Sequence, residues 1–182
     1  MAAQGWFETE LRTLLSQGDI YTDLPFGSPI LPLTHLSKGT SKKNSAIWTP
    51  SVPNNPLPQY QTNHALFAYR VAHGIVVSHD CAIDKPARTS RILFAPVVTL
   101  TVLDTAAQET IRQQAHLAAM LLPDVPSVGD AYVDLKAITP FPLELILERT
   151  KIASLTDPAR DRLQQALVAF LVYRQKPPEP RA

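Results

Sequence analysis

The chain has 182 residues, of which 45% are hydrophobic, so it is long enough for one domain with a real core and globular rather than disordered in composition. Its formal net charge of +1 excludes a global pull toward nucleic acid or membrane, and any nucleic-acid surface has to be a local patch. Its single cysteine excludes an intrachain disulfide framework and a multi-cysteine zinc site, which makes a reducing cytoplasm the default expectation.

Trp6 to Ser16 reads as a short amphipathic helix. Trp6, Phe7, Leu11, Leu14 and Leu15 gather on one face, and Gly18 follows as a stop. Asp19 to Leu24 alternates polar and apolar, as a half-buried strand does. From Pro25 to Asn63 prolines crowd the chain, and Lys38, Lys42 and Lys43 stand among Gly, Thr, Ser and Asn. Proline donates nothing to a ladder, so a central strand is not expected there. The stretch reads as a lid or a mobile insertion. Its lysines suit a solvated loop, or contact with phosphate. Trp48 and Tyr60 either pin the loop to the body or stack on bases.

His64 to Val71 and Gly74 to Ser78 read as two strands joined by a tight turn at Ala72-His73. Arg91 to Val98 is the next strand, with Pro96 marking its edge or end. Asp104 or Thr105 caps a predicted helix to about Leu122, with Ile111, Ala115, Ala118, Ala119 and Leu122 as its buried stripe and Pro123 as its end. Asp130 to Thr139 alternates again, and Leu143 to Leu147 is another candidate strand. Asp157-Pro158 is the strongest helix start, and Leu163, Leu167, Phe170 and Leu171 recur at helical spacing through Arg174. The predicted whole is a single α+β domain over residues 1–174. It carries a small, mostly antiparallel β-barrel or curled sheet with N-terminal, inserted and C-terminal helices, and a frayed tail follows at 175–182. No apolar run approaches the roughly 20 residues of a membrane span, and Met1 to Trp6 does not read as a signal peptide.

The chemistry concentrates at the end of one strand. Gly74-Ile75-Val76-Val77 runs into Ser78, His79, Asp80 and Cys81. A buried strand that delivers polar groups at its tip fixes their geometry while the loop exposes their atoms. On a continuing strand, Ser78 and Asp80 point one way and His79 and Cys81 the other, unless a turn at Asp80 relaxes the alternation. As a nucleophile Cys81 would take a base such as His64, His73 or His116; as a structural residue it is a small buried apolar side chain, the reading favoured here. Asp80 and Asp84 suit Asx turns. The spacing of His79, Asp80, Cys81 and Asp84 matches no structural zinc pattern, so neither a metal nor another cofactor is expected.

The order of parts resembles the MazF/PemK-like family of small toxin-type barrels. Gly18-Asp19-Ile20-Tyr21 is similar to the family's opening strand, and Gly74 to Ser78 to its second strand, an Ile/Val run ending in Ser or Thr. Val133 to Leu163, with Ile152-Ala153-Ser154-Leu155, is similar to its closing section. The resemblance implies a cytoplasmic protein of bacterial or phage type that acts on or binds nucleic acid, with metal-independent cleavage of single-stranded RNA as the activity. The family's toxins use an Arg-Pro pair opening the second strand and a hydroxyl closing it. Here His73-Gly74 stands in place of the pair, while Ser78 carries over. The implied roles are then proton transfer by His73 or His79 and phosphate positioning by Ser78, with Asp80 beside them. Charge stabilisation falls to Arg70 or Arg91, and Lys42 and Lys43 are further substrate contacts. The missing pair favours a second expectation. It is an interaction module without catalysis, contacting a protein partner or a second copy through the proline-rich loop and the terminal helices.

Overall fold

The computed structural model describes residues 5–29, 35–40, 46–51, 64–65, 67–83 and 91–173. Lys42, Lys43, Tyr60, Asp84 and the predicted tail lie outside them. In chain order the elements are β1 (Asp19–Pro29), β2 (His35–Thr40), β3 (Ala46–Ser51), β4 (His64–Ala65), β5 (Phe67–Val76), α1 (Asp80–Ile83) and β6 (Arg91–Thr99). They continue with α2 (Thr105–Arg112), β7 (Ala119–Val125), β8 (Gly129–Asp134), β9 (Thr139–Pro142), α3 (Leu143–Leu147), β10 (Lys151–Ser154) and α4 (Asp157–Tyr173). The chain divides into two compact units, Met1–Leu24 with Val71–Ala182, and Pro25–Arg70.

The larger unit is α+β, built on a seven-stranded antiparallel sheet in the order β10-β1-β5-β6-β8-β7, with β9 also beside β6. Of the two predicted forms, the barrel fails: the sheet is open, with β10 and β7 as its edges. Alternation along the strands gives it two apolar faces. Ile20, Ile75, Val77, Ala95, Val97 and Val133 join Leu163 and Phe170 of α4 in the main core. On the alternate positions Tyr21, Phe94 and Phe141 form an edge-to-face aromatic row, with ring centroids 6.0 and 5.8 Å apart.

Several predicted elements change. Residues 6–16 form no helix, because their backbone groups are taken up by the β10 side. Phe7 bridges Leu155, Glu8 N–H donates to Ser154 O, and Thr156 N–H donates to Trp6 O. Only Trp6 and Phe7 pack against the core, and Leu11 and Leu14 are exposed. There is no turn at Ala72-His73: β5 runs straight through, with His73 opposite Val97 and Gly74 opposite Pro96. Helix α2 has the expected Asp104 cap, whose Oδ1 accepts Ala107 N–H at 2.8 Å. It stops at Arg112, since Gln114 turns left-handed (φ 55°), and Ala119 and Leu122 of the predicted stripe lie in β7. Pro123 therefore sits in an edge strand, where its missing N–H is tolerated. The segment Leu143–Leu147 is a helix, not a strand: its residues are mostly good helix formers, and of them only Ile146 is fully buried. Helix α4 starts at Asp157 as expected.

Pro96 is not at an edge but inside β6, and the register explains how. Val77 N–H donates to Leu93 O, so residues 77 and 93 form a hydrogen-bonding pair. Alternation then makes Gly74 and Pro96 a non-bonding pair, and the missing N–H faces away from β5. On that other side β9 pairs residues 91–94 and β8 pairs residues 97–99, so Pro96 falls in the gap between them.

The smaller unit holds a three-stranded sheet in the order β3-β2-β4. The proline-rich stretch thus contains strands that its composition argued against. Pro50 lies in β3, an edge strand, and Trp48 stands there opposite Lys38. Among the described residues no helix is long and apolar enough to cross a membrane.

Candidate functional site

Ser78, His79, Asp80 and Cys81 do come at the tip of β5, but each has a different occupation. The ladder slips there. Val77 N–H and Ser78 N–H both donate to Leu93 O, at 2.9 and 3.4 Å, so two residues face one as in a β-bulge. The slip leaves two backbone groups to satisfy. Leu93 N–H donates to Ser78 Oγ at 2.8 Å, and Val77 O accepts from Gln17 Nε2 at 2.9 Å. Ser78 is accordingly buried.

Asp80 opens α1 and turns back into the body. Its Oδ1 accepts Gln17 N–H at 2.6 Å and its Oδ2 meets Arg160 Nη1 at 3.0 Å. The turn also relaxes strand alternation and brings His79 and Cys81 together. Cys81 is exposed, contrary to the expected buried position, because the chain leaves the sheet before reaching it. Its Sγ lies 3.0 Å from His79 Nδ1, which also accepts Cys81 N–H at 3.2 Å. A ring nitrogen that accepts a backbone N–H carries no proton of its own, which puts the imidazole proton on Nε2. The thiol sulfur stands beside the same nitrogen, with solvent at hand.

The other predicted residues do not join them. His73 is half-buried on β5, and its Nδ1 is buried with no hydrogen-bond partner among the described residues. It lies roughly 13 Å along the strand from Val77 at about 3.3 Å per residue. Arg91 is exposed at the start of β6, opposite Pro142, and Arg70 is exposed on β5 within the smaller unit. Among the described residues no three His, Cys, Asp or Glu side chains are grouped to hold a metal ion.

Sequence reasoning missed the residues that frame the tip. Gln17 is buried and bonds Val77, Asp80 and, through Oε1, Gln164 Nε2 of α4 at 2.8 Å. Arg160 links Asp80 to Asp157 Oδ1, at 2.6 Å, and Arg12 bonds the same oxygen at 2.8 Å. Hydrogen bonds from Arg12 and Arg160 hold the Asp157 carboxyl below its usual range, and those to Glu8 and Asp157 raise Arg12.

Beneath this surface chain lies a buried one. Asp19 is fully buried and directly opposite Ser154 on β10. It accepts Ser154 Oγ–H at 2.7 Å and Ser16 N–H at 2.8 Å, and it pairs with Lys151 Nζ at 2.7 Å. Lys151 also donates to the carbonyls of Arg12 and Leu14. Burial, and next the Asp19 charge, push the neighbouring Tyr21 phenol well above its usual value. Asp19 and Ser154, the centre of this cluster, are fully buried. The cluster positions Gln17 and thereby the tip of β5. A scan against protein-family models finds no match to the chain, and a search of curated proteins finds none either.

Proposed function

We propose that this chain is a MazF/PemK-like interaction module, which works by contacting a protein partner rather than by cutting RNA. One observation carries the reading. The hydroxyl at the family's catalytic position, Ser78, is buried and accepts Leu93 N–H inside the sheet, so it does not present itself to a phosphate. The absent Arg-Pro pair agrees with this, and so does Asp80, whose charge faces Arg160. The surface of the C-terminal helix supports binding. Val168, Leu171 and Val172 are 60%, 58% and 61% exposed, an apolar stretch of α4 that the described residues leave uncovered. Exposed apolar side chains in a group are a common mark of a contact surface.

The test has two arms. The purified chain, incubated with single-stranded RNA, should give no cleavage above a protein-free control. Partner capture from a bacterial host lysate, identified by mass spectrometry, should succeed with the wild-type chain and fail with Val168→Glu/Val172→Glu at unchanged thermal stability. RNA cleavage that vanishes in a folded Ser78→Ala variant would reverse the conclusion.

A second reading rests on the exposed His79–Cys81 contact, which provides an acid–base and nucleophilic pair for hydrolysis or group transfer. On that reading iodoacetamide modifies Cys81 faster than it modifies free cysteine at neutral pH, and His79→Ala removes the advantage. Equal rates for the protein, the variant and free cysteine rule it out.

A further inference from the structure

The segment from Gly5 to Arg12 touches the body in an unusual way for a piece of chain next to a core. It belongs to no helix and no ladder, only to the isolated bridge between Phe7 and Leu155. It covers the Ser154 end of β10, which is otherwise an edge of the large sheet. An uncovered edge is a template for strand addition, and proteins shield such edges with loops, charges or short strands. The shield has an aromatic anchor at its start and a salt-sensitive ionic one at Arg12. Trp6 and Phe7 pack against the core, with Arg162 4.9 Å above the Trp6 ring, whereas Leu11 turns to solvent. Arg12 then bonds Glu8 Oε1 and Asp157 Oδ1, both at 2.8 Å, in a setting open to water and salt. Beyond Arg12 the character reverses. The carbonyls of Arg12 and Leu14 are held by the largely covered Lys151, and the Ser16 N–H by the buried Asp19.

We infer that residues 5–12 are a releasable strap over the β10 edge, locked by the Arg12–Asp157 contact and hinged where Lys151 and Asp19 grip residues 12–16. Release uncovers the edge while the sheet itself stays folded. Local opening of this kind is read by amide exchange. The reporters are the Glu8 and Thr156 N–H groups, which bond across the strap, and Val77 N–H serves as the core reference.

The experiment is hydrogen exchange on the full chain at about 0.05 M and about 0.5 M NaCl, which shortens the screening length severalfold. Exchange at Glu8 and Thr156 should quicken about 2–5-fold with salt, the range set by a partly exposed ion pair, while Val77 does not respond. Arg12→Ala and, separately, Asp157→Asn should show the faster exchange already at low salt and lose the salt response. Exchange at the two reporters that matches Val77, or that is fast but indifferent to both salt and the substitutions, overturns the proposal. The Val77 reference in each variant separates strap release from loss of the fold.

Discussion

Replacing Asp19 with alanine is expected to cost about 3–5 kcal/mol of stability, the range for removing one member of a buried ion pair. The substitution strips Lys151 of its carboxylate and leaves it to two carbonyls, with its side chain only 12% exposed. It also deprives Ser154 Oγ–H and Ser16 N–H of their acceptor. A whole domain is held by about 5–15 kcal/mol, so this loss is a large fraction of the total. Urea titration followed by tryptophan fluorescence measures the shift. The companion Asp19→Ala/Lys151→Met should be more stable than Asp19→Ala alone, because the stranded charge is gone. A double variant no better than the single one would show that the pair is not coupled.

The second large effect belongs to Gly18. Its φ of +87° is left-handed, and a Cβ there would stand 3.0 Å from both Leu155 Cβ and Arg160 Cγ. Alanine therefore meets about 1–2 kcal/mol from the backbone and about 1–3 kcal/mol from overpacking against Leu155. The position cannot relax freely, since Gly18 N–H donates to Val76 O and Gly18 O accepts Leu155 N–H. Gly18→Ala should lower the urea midpoint in proportion. A variant as stable as wild type would contradict both the conformation and the contact.

These two residues also show what could be read from the chain alone. Gly18-Asp19-Ile20 and Ile152-Ala153-Ser154-Leu155 drew notice as separate short motifs. In the fold they lie on paired strands, and Asp19 meets Ser154 across 135 residues of sequence. Local pattern located both ends of that contact, but no spacing rule joined them. The strands β1, β6 and β8 and the helix α4 were legible because apolar periodicity and the Asp-Pro start are local signals, whereas β5 was read as two strands with a turn it does not have. Residues 6–16 misled because apolar spacing implies a helix only when the backbone has no better partner, and β10 offered one. The helix predicted to reach Leu122 failed for a different reason. A left-handed Gln114 carries no clear sequence mark, unlike a glycine or proline stop. At the site, the run Ser78 to Cys81 was identified as the chemical focus, yet its environment was not. Whether Ser78 faces a ligand or a neighbouring strand depends on the slip at Leu93, and whether Cys81 is buried depends on where the strand ends. Gln17 and Arg160 were invisible for the same reason as the Asp19–Ser154 pair: their partners are brought in by topology.

The divided flank of β6 has a consequence for how such a protein can change. Its first half, residues 91–94, lies between β9 and the strand tip that ends at Ser78. Its second half, residues 97–99, carries the β7–β8 hairpin, reached through α2. Pro96 marks the boundary on that flank, while on the other β5 pairs residues 94–97 and spans it. The hairpin is no appendage, since Met120, Leu122 and Val133 lie in the same core cluster as Val77 and Leu163. Any other residue at 96 would add an N–H aimed into the gap between β9 and β8, where only water or a side chain could accept it.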